Sequence, residues 1–80
     1  MNATLSYNAL KAIAARTGSN VAEYRKSELE VLNCEYTEYP TAIAACEALE
    51  YDCESEEDAL QILMENTYCI PFDGGVVLYV

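Results

Sequence analysis

Apolar positions early in the chain recur at helical spacing: Tyr7, Leu10, Ile13 and Ala14 stand three and four apart. Ser6 is placed to cap the start and Gly18 to stop the end, so the pattern predicts an amphipathic helix over roughly residues 7–16. "SNVAEYRKSE" then offers a short helical turn beginning at Asn20. In "LEVLNCEYTEY" the apolar and polar positions nearly alternate, with Leu29 and Val31 on one phase and Leu32, Cys34 and Tyr36 on the other. The slip between Val31 and Leu32 predicts a bulged strand over 29–37.

Pro40 suits the first turn of a second helix, "PTAIAACEALEY", whose inward face is expected to hold Ala42, Ile43, Ala45, Cys46 and Leu49. Ser55 followed by Asp58 forms a near capping box, with Asp where Glu or Gln is usual. It opens a third helix that turns Ala59, Leu60, Ile62 and Leu63 inward. Asp73-Gly74-Gly75 between two apolar runs is a strong hairpin signal, because glycine accepts positive φ without steric cost. Pro71 cannot donate a ladder hydrogen bond, so the strand over 68–72 needs an open edge or a bulge there. The expected fold is α+β: one domain over 1–80, with a three-stranded, mainly antiparallel sheet and about three helices packed on one face. Its last strand, "VVLYV", has no charge or proline to guard it. At a sheet edge it predicts a homodimer formed through that strand, and the unguarded sequence favours this outcome; flanked by strand 29–37 it predicts a monomer.

Composition changes this picture in one respect. The chain of 80 residues is 52% hydrophobic, with seven Tyr, too apolar for a disordered acidic tail despite a net charge of −10. The charge is also divided. Residues 1–30 hold all four bases, Lys11, Arg16, Arg25 and Lys26, against Glu23, Glu28 and Glu30, a balance of +1. Residues 31–80 hold eleven acids and no base: Glu35, Glu38, Glu47, Glu50, Asp52, Glu54, Glu56, Glu57, Asp58, Glu65 and Asp73. Acids in the first turn of a helix complement its dipole, which accounts for Glu56, Glu57 and Asp58. The others have no such local reason. Solubility needs a net charge of magnitude about 2 to 8 with both signs interspersed. One-signed charge repels itself, so it points to a basic partner.

Several chemistries find no residues here. There is no His, no G-x-S-x-G and no glycine-rich phosphate loop, so an enzyme is not expected. Cys34, Cys46, Cys53 and Cys69 form no C-x-x-C, and the run from Asp52 to Asp58 lacks the turn glycine of an EF-hand loop. Reduced structural thiols, no metal and no cofactor are expected. Four bases make no phosphate-binding patch, so direct nucleic-acid binding is not expected either. No apolar run reaches membrane-spanning length and the N-terminus does not read as an export signal, so a cytoplasmic protein is expected, and the sequon at Asn2-Ala3-Thr4 carries no weight.

What remains is binding. The expected partner surface comprises Glu35, Glu38, Glu47, Glu50, Asp52, Glu54, Glu56, Glu57 and Asp58, with Tyr36, Tyr39 and Tyr51 as rigid anchors among the acids. Such carboxylates can substitute for phosphates on a basic nucleic-acid-binding surface. The motifs "EYTEY", "ALQIL" and "IPFDGG", joined by an acidic helix pair over residues 29–80, resemble a loose class of small acidic proteins of phages and mobile elements. Residues 1–28 depart from that class. The resemblance implies an inhibitor of a host nucleic-acid-handling defence complex, of the anti-CRISPR or antirestriction kind. The alternatives are an acidic interaction module, such as an antitoxin-like or adaptor protein, or a phage structural protein.

Overall fold

The computed structural model describes residues 5–79, which leaves the Asn2–Thr4 sequon and Val80 outside the described residues. Four α-helices and three strands follow in the order α1 (Tyr7–Thr17), α2 (Lys26–Glu35), β1 (Tyr36–Tyr39), α3 (Ala42–Ala48), α4 (Glu56–Asn66), β2 (Cys69–Phe72) and β3 (Gly75–Tyr79). A 3-10 turn, Val21–Glu23, lies between α1 and α2, where Asn20 was expected to start one. The α+β class therefore holds, with one helix more than the pattern predicts. No helix of the described residues is long and apolar enough to cross a membrane.

The extra helix is α2, which occupies most of the segment expected to be a bulged strand. Leu29 and Leu32 are three apart, so the apparent phase slip is helical spacing, and both side chains are half-buried while Val31 faces solvent. The Glu28 carboxylate accepts from the Arg25 backbone N–H at 3.3 Å, satisfying one donor that the helix start leaves over. Asn33 extends the same face. Its Nδ2 donates to the Leu29 carbonyl at 2.8 Å, and its Oδ1 accepts from the Leu5 N–H at 2.6 Å.

All strand pairs are antiparallel in the order β1–β3–β2. The C-terminal strand is thus central, with neither edge free, and the dimer expected through it has no edge to use. A strand apolar at successive positions is one buried on both sides, and β3 behaves in this way. Val77 joins Leu5, Ala9, Ile13 and Ile70 beneath α1, whereas Val76 and Leu78 join Ala42, Ala45, Cys46, Ala59, Leu63 and Cys69 beneath α3 and α4. Helices cover both faces of the sheet instead of one. Pro71 lies on β2, which pairs only with β3, so its missing N–H breaks no ladder on the open side.

The turn between β2 and β3 leaves no freedom at Gly75. Its φ is 151°, and a Cβ there would fall on the Tyr39 carbonyl oxygen and the Pro40 backbone. Only glycine lets β1 approach β3 this closely.

Candidate functional site

Thr41, not Pro40, begins the acid-rich layer: its Oγ1 accepts from the Ala44 N–H at 3.0 Å and caps α3. The buried side of α3 is Ala42, Ala45 and Cys46, while Ile43 and Leu49, expected inside, are exposed. Seven residues give only two turns, too short to bury a wider stripe. On α4, Ser55 caps as expected, its Oγ accepting from the Asp58 N–H at 3.1 Å. Asp58 does not complete the box: its carboxylate accepts from the N–H of Glu54 at 3.0 Å, one residue before the cap. Ala59 and Leu63 are buried and Leu60 and Ile62 pack at the margin.

The twelve residues expected to form a partner surface do not share one role. Glu56 accepts from the N–H groups of Ala42 and Ile43 at 2.7 and 3.2 Å, so an α4 carboxylate closes the N-terminus of α3. Glu38 lies on the opposite side of the sheet. It accepts from the Ser6 N–H and Oγ, both at 2.8 Å, and fastens the start of α1 to β1. With Asp58, these three acids hold helix ends. Glu35 ends α2, half-buried. Tyr39 and Tyr51 lean on the core under α3 and α4, and Tyr36 leans on the core under α1. The tyrosines are thus split between the two faces.

Five of the predicted acids remain together and free of these tasks: Glu47, Glu50, Asp52, Glu54 and Glu57, all exposed from the end of α3 to the start of α4. Lys11 and Arg16 lie on α1, and Arg25 and Lys26 at the start of α2, whose Leu32 packs on the α1 side. The bases thus stand on helices other than α3 and α4, although the Arg16 charge reaches Cys69 in the core beneath that pair. Glu50 has a φ of 64°, the left-handed region that a side chain enters at a cost of about 1 to 2 kcal/mol. The Tyr51 N–H donates to the Cys46 carbonyl at 2.8 Å and the Glu50 N–H to the Glu47 carbonyl at 3.2 Å, the paired bonds of a helix ending that usually carries glycine. Nothing in the sequence around Glu50 announces that conformation.

Cys46 and Cys69 are buried, Cys53 half-buried and Cys34 exposed, all as free thiols. Burial pushes the Cys46 thiol up, and Cys53 and nearby carboxylates add to the effect. Among the described residues no group of three or more Cys, Asp or Glu side chains is arranged to hold a metal ion. Spacing did not single out Tyr79, yet register brings it between Tyr36 and Tyr68, with ring centroids 5.3 and 6.1 Å away. Comparison with protein-family models, curated proteins and solved structures returns no match.

Proposed function

We propose that the chain is a noncatalytic protein that binds a basic, nucleic-acid-contacting surface of a partner through the acidic junction of α3 and α4, and thereby inhibits a host nucleic-acid-handling complex in the cytoplasm. One observation carries this reading: five exposed acids stand along a single helix junction, from the end of α3 to the start of α4, and every base of the chain precedes residue 27. Charges on capped helix ends lose little freedom on binding, and complementary potential raises the association rate by orders of magnitude. Glu50 supports the same reading, because a carboxylate held where glycine would be easier is a stability cost that recognition accounts for. The resemblance to small acidic phage proteins adds the class of partner, a host-defence complex.

The test is affinity capture from a bacterial lysate, followed by competition. Captured partner should be released by added DNA or RNA and by rising salt, since both binders rely on the same cationic surface. Replacing Glu47, Glu50 and Glu54 together by Lys should abolish capture while thermal unfolding stays cooperative. Single reversals should each cost modestly. A partner that holds its nucleic acid undisturbed with this protein bound, or a triple variant that binds as the parent does, overturns nucleic-acid substitution and leaves an adaptor.

A further inference from the structure

The chain reverses at the end of α3 and brings two cysteines to one core. The Tyr51 N–H donates to the Cys46 carbonyl at 2.8 Å, and Glu50 turns the backbone there with a φ of 64°. Beyond the reversal, Tyr51 and Cys53 are half-buried with Asp52 exposed between them, so alternate side chains turn back onto the core that holds Cys46. Cys46 is fully buried, its Sγ donating to the Ala59 carbonyl at 3.5 Å, whereas Cys53 stays within reach of solvent. Burial pushes the Cys46 thiol up, and Cys53 adds to this by its charge and by a hydrogen bond between the two side chains, ahead of Asp58 and Glu56. Cys69 lies in the same core, but only burial and the Arg16 charge act on its thiol. Cys34 is exposed near the end of α2, away from the other three.

We propose that Cys46 and Cys53 form an oxidisable pair, which hydrogen peroxide joins into a disulfide that braces the reversal carrying Glu47, Glu50 and Asp52. Cys53, the reachable sulfur, attacks the peroxide as thiolate. The O–O bond breaks; one oxygen stays on sulfur as a sulfenic acid, and the other leaves as hydroxide and takes up the thiol proton as water. The Cys46 sulfur gives up its proton and attacks the Cys53 sulfur, the S–O bond breaks, and a second water leaves. The two thiols lose two electrons, which the peroxide gains. A small uncharged oxidant suits the site, because Asp52 and Glu54 flank Cys53 and repel an anionic disulfide such as oxidised glutathione. The new bond encloses residues 47–52 and removes freedom from the unfolded chain. No partner protein is needed for the reaction, so it is separable from the binding proposed above.

Glutamates lie between every two successive cysteines, so digestion with a glutamate-specific protease locates the bond. Cys34→Ser removes the exposed thiol that links one molecule to another. This variant, treated with peroxide, alkylated after unfolding and digested without reductant, should give one linked pair of peptides holding Cys46 and Cys53, with Cys69 alkylated. Its unfolding temperature should rise by several degrees on oxidation and fall back when reductant is added. Cys53→Ser in the same background should give neither the linked peptides nor the rise, and Cys53→Ala takes its place if serine there unfolds the chain. A bond to Cys69 in place of Cys53, no bond in protein that stays folded, or a bond without a rise in unfolding temperature overturns the proposal.

Discussion

α1 and α3 end in the same backbone device and fill it with different residues. After α1, Gly18 adopts a φ of 77°, with the Ser19 N–H donating to the Ala14 carbonyl at 2.9 Å. After α3, Glu50 adopts 64°, with the equivalent bond from Tyr51 to Cys46 at 2.8 Å. The first ending serves folding alone. The second carries the exposed Glu50 in a conformation that glycine enters more easily. The same contrast holds for the helices: α1 and the start of α2 carry all the bases, whereas α3, α4 and their junction carry acids only.

Removing the wall between the layers should have the largest effect. Gly75→Ala drives a Cβ into the β1 backbone at a left-handed φ, so a loss of at least about 3 kcal/mol is expected in urea unfolding, with both layers lost in one transition. Next comes a division within the acidic layer. Glu56→Ala should cost about 1 to 2 kcal/mol by freeing the α3 N–H groups, and Glu38→Ala a similar amount by loosening α1. Glu57→Ala should cost less than either, about 0.3 to 1 kcal/mol, because only its attraction to the α4 dipole is lost.

The two helix endings can then be exchanged. Glu50→Gly should stabilise the fold by about 1 kcal/mol and weaken partner binding, whereas Gly18→Ala should destabilise by a similar amount with no effect on binding. No atom lies within 4 Å of a Cβ at Gly18, so that cost is conformational and not steric. If Glu50→Gly binds as the parent does, the strain there has no role in recognition.

Alkaline pH should give the smallest effect and again separate the sides. Burial raises the Cys46 thiol above its ordinary value of 9.0, so the unfolded chain loses that proton first and the folded state binds more protons. Stability should therefore fall as pH rises above about 9, with Cys69 contributing through its own burial despite the opposing charge of Arg16. Cys46→Ala should flatten this slope. Tyr36→Phe should leave it and reduce only the further decline above pH 10.0, where the unfolded tyrosine ionises before the folded one.

Local spacing carried much of the fold. Ser6, Gly18 and Ser55 mark helix ends through bonds spanning a few residues, and Asp73-Gly74-Gly75 marks its hairpin by the conformations that glycine allows. The segment that misled is 26–35, where half-exposed packing leaves the apolar pattern weak and a helix with half-buried residues three and four apart looks like a slipped strand. The acids at the α3–α4 junction were legible as a cluster, but Glu56 and Asp58 could not be told from Glu57 without knowing which N–H groups lay within reach.

Composition and short-range periodicity by themselves determined the α+β class, the bounds of α1 and the start of α4, the hairpin and the excess of acid after residue 30. Tertiary structure alone decided that β3 is central, that helices cover both sheet faces, that Glu38 and Glu56 are fasteners, and that three tyrosines form one row. The reason is range. The bonds of the two fasteners join residues 32 and 14 apart, and β1 meets β3 by pairing Tyr36 with Tyr79; such separations leave no period in the chain for a local pattern to express.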